Sequence, residues 1–153
     1  MTVAPTIFQA SDLNQKGRAI LDAARAGWAR LRDKDGVSLI MLPEERVDAL
    51  LKVVNVVANL LTIERALAQR QEGQLDLASF GEWTWLRLFD KEDLAEFIQE
   101  MHEAVIVAAR EQSAALLDET LRRWRVTADV LQDPVRREIL LAPDSEPGDV
   151  KEG

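Results

Sequence analysis

The sequence predicts an α+β protein in which a small antiparallel sheet with helices precedes an all-α region of long helices. Two short apolar runs flank Asp35-Gly36, a dipeptide typical of β-hairpin turns. Apolar residues recur with helical spacing from Leu13 to Ala24, from residue 44 to about residue 70, and from Asp90 to about Leu131. The predicted domains are 1–72 and 73–142, followed by a polar, Pro- and Gly-rich tail, 143–153, that we expect to be disordered.

The first predicted elements are a strand and a helix. Residues 6–9 (TIFQ) read as a short strand, and either Ser11 or Asp12 can cap the helix that follows. Asp12 with Gln15 three positions later resembles a capping box. Gly27 is placed where a helix C-terminus is expected.

The hairpin pattern predicts a register. A two-residue type I′ turn at Asp35-Gly36 pairs Leu31 with Ile40, Arg32 with Leu39 and Arg30 with Met41. One face, with Ala29, Leu31, Ile40 and Leu42, then covers the first helix. The other face carries Trp28 and three cations, Arg30, Arg32 and Lys34. These cations are either a solvated face or contacts to a phosphate backbone.

The long helix that starts after Pro43 predicts self-association. Glu44 and Glu45 suit its N-terminal end, and apolar residues cover well over half of its circumference. Three short strands and one other helix are too few to cover both sides of such a helix. We therefore predict a homodimer, with an interface formed by Leu50, Val53, Val54, Val57 and Leu61.

Aromatic residues concentrate in the C-terminal half. Five of the eight lie between positions 80 and 97, just before and within a helical pattern that Asp90 can cap and Asp133-Pro134 ends. Two interpretations remain open: the aromatic side chains form the core of this region, or they are anchors for a protein partner. The candidate partner-binding residues are Trp83, Trp85, Leu86, Phe89, Phe97 and Trp124.

Composition excludes several kinds of chemistry. The chain has no cysteine, which excludes disulfides, thiolate metal sites and thiol nucleophiles. His102 is the only histidine, and Ile106 stands where the zinc motif H-E-x-x-H needs its second histidine. The glycines are isolated, so no phosphate-binding loop is predicted. We expect a non-enzymatic protein with no cofactor and no metal.

The targeting and charge patterns also bear on location and partners. The N-terminus lacks a signal-peptide pattern, and Asn55 and Asn59 interrupt the longest apolar stretch, so we expect a cytoplasmic protein with no membrane segment. The net charge of −8 disfavours nucleic acid, but it is unevenly distributed. Residues 1–72 carry a net charge of +1, and residues 73–153 carry −9. The acidity therefore belongs to the C-terminal half.

The first 70 residues resemble the Phd/YefM (prevent-host-death) antitoxin family. The resemblance rests on an ordered series of short motifs: Ile7 in a strand, Ala10-Ser11-Asp12-Leu13 at a helix start, Ile20-Leu21-Asp22 before Gly27, Arg30-Leu31-Arg32-Asp33, Gly36, and Leu39 to Pro43 before a long helix. It implies a dimeric N-terminal module that binds operator DNA and a C-terminal part that covers a toxin.

The resemblance also nominates residues. It implies that the start of the first helix approaches DNA, which on this sequence selects Ser11, Asn14, Gln15, Lys16 and Arg18. It casts the aromatic C-terminal segment as toxin-binding, and the acidity of that segment suits a basic toxin that acts on RNA. The predicted function is a type II antitoxin and autorepressor. The alternative is a protein-binding adaptor that keeps the dimer and does not bind DNA.

Overall fold

The structure, a computed structural model, describes residues 6–69 and 76–142 and confirms the α+β class. The predicted tail, 143–153, and residues 70–75 lie outside these ranges. The elements are β1 (Ile7–Gln9), α1 (Asp12–Gln15), α2 (Gly17–Ala26), β2 (Ala29–Arg32), β3 (Ser38–Met41), α3 (Glu44–Ala68), two 3-10 helices (Leu77–Phe80 and Thr84–Leu88), α4 (Lys91–Glu111), α5 (Ala115–Gln132) and α6 (Pro134–Leu141).

The sheet has the order β1-β2-β3 and is mixed, so the prediction of an antiparallel sheet is wrong for β1. Strand β1 pairs with β2 in parallel, with Phe8 beside Leu31, whereas β2 and β3 are antiparallel. Parallel neighbours need a crossover of about a dozen residues or more, and helices α1 and α2 supply it here.

The hairpin register differs by one residue from the predicted one. Leu31 pairs with Leu39, and Arg30 pairs with Ile40. The reason is a longer turn, in which the Asp33 carboxylate accepts the N–H groups of Asp35 and Val37 at 2.9 and 2.8 Å. Among the described turn residues only Gly36 has a positive φ, +82°, whereas a type I′ turn needs two. The slip moves Ile40 to the sheet face that carries Arg30.

The first helix is divided rather than continuous. It breaks at Lys16, whose φ and ψ are −121° and 23°, and a second helix runs on to Ala26 before Gly27, as expected. Asp12 does not cap this helix. Its carboxylate instead accepts the Gln9 N–H at 2.9 Å, which ties the end of β1 to the start of α1.

The predicted helical region from Asp90 to about Leu131 is divided into a hairpin of two helices, α4 and α5. Gln112 has a left-handed φ of 54° and ends α4, and the Ser113 N–H donates to the Ala108 carbonyl at 3.3 Å. Asp90 caps α4 as predicted, because its carboxylate accepts the Asp93 N–H at 2.9 Å. Asp133 ends α5, and Pro134 begins α6.

Two hydrophobic cores hold the described residues. The smaller lies between the sheet and α2 and is formed by Phe8, Ile20, Ala24, Ala29 and Leu31. The larger joins the second half of α3 to the 3-10 helices, α4 and α5. Its α3 members are Val56, Leu60 and Ile63. Residues on both sides of the predicted boundary at 72/73 therefore share one core.

Candidate functional site

Most of the predicted DNA-contacting residues lie at one edge of the N-terminal module. Because β1 and β2 are parallel, their C-terminal ends meet at the same edge of the sheet. The Ala10 N–H donates to the Arg32 carbonyl at 3.0 Å and joins the two segments there. We call this region the basic edge; its residues are exposed and comprise Ser11, Asn14, Gln15, Lys16, Arg18, Arg32 and Lys34.

Three cations of the basic edge are available to a ligand. Lys16 forms an ion pair with Asp12 at 3.2 Å. The Gln9 N–H and then Lys16 lower the pKa of the Asp12 carboxyl, so this group remains ionised. Within residues 6–69 and 76–142, no carboxylate forms an ion pair with Arg18, Arg32 or Lys34. These three side chains therefore carry the positive charge that the edge can offer.

Arg30 differs from the residues of the basic edge in its surroundings. Its guanidinium lies 4.9 Å from the centroid of the Trp28 ring, a cation–π contact, and its side chain is half-buried. It pairs in the sheet with Ile40, which lies beside an apolar cleft. The structure thus gives Arg30 a packing partner that the other predicted DNA-contacting residues lack.

The aromatic cluster is the core of the helical region. Phe97 is fully buried, and its ring meets those of Trp83, Trp85 and Trp124 edge to face, with centroids 5.5, 5.8 and 5.5 Å away. The Trp124 Nε1–H donates to the Glu100 carboxylate at 2.8 Å, which satisfies the one polar atom of that ring.

Burial does not fit the predicted toxin-binding role for four of the six residues of this cluster. Trp83, Leu86, Phe89 and Phe97 are each 8% exposed or less, and Trp85 and Trp124 are half-buried. The physical reason is that the two 3-10 helices fold back onto α4 and α5, so the apolar side chains cover one another. A partner cannot reach the four buried side chains in this fold.

Helix α3 exposes a second apolar face. Leu50, Leu51, Val54 and Leu61 are between 56% and 62% exposed, although α3 buries its opposite side in the larger core. Val57 is half-buried, and Val53 packs against the larger core of its own chain. Leu51 was absent from the predicted interface, although its helical spacing from Val54 places it on this face. We call the set the α3 stripe: Val47, Leu50, Leu51, Val54, Val57, Ala58 and Leu61.

A cleft of about 530 Å³ adjoins the α3 stripe. Its lining comes from the hairpin region, the first half of α3 and the end of α4: Gly27, Trp28, Ile40, Leu42, Arg46, Ala49, Leu50, Val53, Ala108, Ala109 and Gln112. Arg46 Nη1 donates to the Gly27 carbonyl at 3.0 Å and fixes the hairpin against α3. The cleft joins segments that are far apart along the chain, so no local pattern in the sequence predicts it.

Helix α6 carries a further exposed apolar surface that the sequence analysis did not select. Val135, Ile139 and Leu140 are 55% to 74% exposed. The helix contacts α5, and Leu131 of α5 and Leu141 of α6 line a groove beside this contact. The signal was present in the sequence as a short apolar run after Asp133-Pro134.

Across the described ranges, no three His, Asp or Glu side chains are grouped as metal ligands, and no helix has the length and apolarity to cross a membrane. His102, the sole histidine, lies 2.9 Å from the Glu64 carboxylate. Searches with protein-family models, with the sequences of curated proteins and with solved structures return no match for this chain.

Proposed function

We propose that the chain is a type II antitoxin, which binds operator DNA as a dimer through the basic edge and covers a toxin with its C-terminal helices. The proposed DNA binding rests on one observation: residues 11–18 and residues 32–34 lie at the same edge of the sheet. Asn14 and Gln15 have side chains that can pair with adenine, and they lie at the same edge as Arg32 and Lys34, which suit phosphate.

The test of the DNA half is a gel shift with the DNA upstream of the protein's own gene. The double variant Arg18→Ala/Arg32→Ala should weaken binding and reduce its salt dependence by up to about two counterions per chain, or about four for the dimer. A matched control, Arg110→Ala/Arg125→Ala, removes the same charge from exposed positions on α4 and α5 and should leave binding unchanged. Absent binding, or equal losses in both variants, would refute this half.

We propose that α6, and not the aromatic core, binds the toxin. Val135 and Ile139 lie on an exposed apolar surface, and residues 73–153 carry a net charge of −9, which suits a basic partner. Expression of this chain should rescue the growth of cells in which the product of the adjacent gene, the proposed toxin, is made. The double variant Val135→Asp/Ile139→Asp should abolish this rescue. The same change at Ile106, exposed on α4, is the control. Rescue that survives the α6 change would place the toxin elsewhere.

A second candidate is the protein-binding adaptor that does not bind DNA. The net charge of −8 favours it, and Asp33 and Asp35 lie beside the cations of the basic edge. The two candidates differ in the gel shift, because the adaptor requires only the α3 stripe and α6. A chain that dimerises and rescues growth but leaves operator DNA unshifted would be the adaptor.

A further inference from the structure

We infer that a second copy of this chain docks antiparallel along the α3 stripe, with Val54 at the two-fold axis, and that Leu61 of the second copy closes the mouth of the cleft. This inference rests on the proposed dimer and specifies its geometry. Three observations carry it: the repeat of the stripe, the charges at its two ends and the position of the cleft.

The repeat of the stripe fits helix pairing. Val47, Val54 and Leu61 are spaced by seven residues, which keeps them on one side of a helix that packs along another. Val54 is the middle of the three. Leu50 and Val57 flank the line on one side, and Leu51 and Ala58 flank it on the other. A two-fold axis at Val54 therefore matches each apolar position with an apolar position of the second copy.

The charges at the ends of α3 select the antiparallel direction. Glu44 and Glu45 occupy the first turn, and Arg65 is exposed near the last turn. In an antiparallel pair Arg65 comes beside Glu44 of the second copy, and the helix dipoles oppose one another. In a parallel pair the acidic turns would lie side by side, and so would the two arginines.

The antiparallel arrangement brings one side chain of the second copy near the cleft. An antiparallel pair centred on Val54 places Leu61 of the second copy opposite Val47, one turn from Leu50, which lines the cleft. Trp28 and Ile40 also line the cleft and are 43% and 55% exposed. With the most exposed members of the stripe they present an apolar area on the order of 600 Å² per copy, near the roughly 800 Å² that each partner of a standard interface buries.

Disulfide cross-linking tests this arrangement, because the chain has no cysteine of its own. After mild oxidation of the full-length chain, Val54→Cys should form a covalent dimer. Leu61→Cys alone should not, since the two copies of residue 61 lie ~21 Å apart along an antiparallel pair. Leu61→Cys mixed with Val47→Cys should give a covalent dimer that contains one chain of each variant. Ile106→Cys, an exposed position on α4, reports cross-linking by random collision.

Sedimentation of the unchanged chain and of two aspartate variants distinguishes the ways in which the inference could fail. Leu61→Asp should weaken self-association at least ~10-fold, whereas Ile106→Asp should not change it. A chain that sediments as a monomer at all concentrations overturns both this inference and the proposed dimer. A dimer in which Leu61→Cys cross-links with itself is parallel and overturns this inference alone. A dimer in which none of the α3 cysteines cross-links has its interface elsewhere, which also overturns it.

Discussion

Replacement of Phe97 by alanine decides between the two interpretations of the aromatic cluster. Phe97 is fully buried and contacts three tryptophan rings edge to face. Removal of a buried phenylalanine costs about 3–5 kcal/mol, and each edge-to-face pair is worth about 0.5–1.5 kcal/mol beyond burial. We expect a loss near the upper end, about 4–5 kcal/mol, because all three ring contacts disappear together. That loss is a large part of the roughly 5–15 kcal/mol by which domains are stable.

The assay is urea unfolding followed by circular dichroism and by tryptophan fluorescence. Ile106→Ala, on the same helix but half exposed, is the matched control and should cost under about 1 kcal/mol. A loss below about 1.5 kcal/mol for Phe97→Ala, or equal losses for the two variants, would contradict the assignment of Phe97 to the core. Either result would make the aromatic cluster a candidate partner-binding surface again.

Three further changes test local features. Gly81 has a φ of 55°, and an added Cβ would lie 2.9 Å from the Asn59 Oδ1, so Gly81→Ala should lower the urea midpoint more than Gly36→Ala, which meets open space at a φ of 82°. Asp90→Ala should cost ~1 kcal/mol of unfolding free energy, because it removes the cap of α4. The folded pKa of Asp12 is lowered, so its stabilising contribution is present above pH ~4 and declines as the pH falls through the folded pKa. Unfolding of Asp12→Asn should lack this component of the pH dependence, and an unchanged pH profile would refute it.

Local patterns predicted the positions of most elements but not how they pair. Asp35-Gly36 correctly marks a turn, yet the dipeptide cannot show that Asp33 captures two N–H groups and lengthens the turn. Nothing in the sequence marks Gln112 as a helix end, because neither Gly nor Pro stands there, and a left-handed glutamine is uncommon. Whether strands β1 and β2 run parallel depends on where the intervening helices pack, which is a tertiary property.

Local patterns also predicted some of the candidate sites, whereas others depend on the tertiary fold. Exposure of the α3 stripe and of the basic edge agrees with residue patterns, since apolar periodicity and clustered polar side chains are local signals. The same composition in residues 80–97 suits a core as well as an interface, and only the fold of the 3-10 helices against α4 and α5 distinguishes them. The cleft is lined by Trp28, Leu50 and Ala109, which are distant in sequence.

Helix α3 has a mechanical consequence. Its first half lies beside the hairpin, held by Arg46 and the Gly27 carbonyl, and its second half contributes Val56 and Leu60 to the larger core. At 25 residues it forms a rod of about 37 Å, continuous from one part of the chain to the other. A hinge is therefore not expected between the basic edge and the helical hairpin, and a truncation at residue 72 would strip the core from one side of the rod. Whatever each end holds would be kept at a set distance and angle from the other.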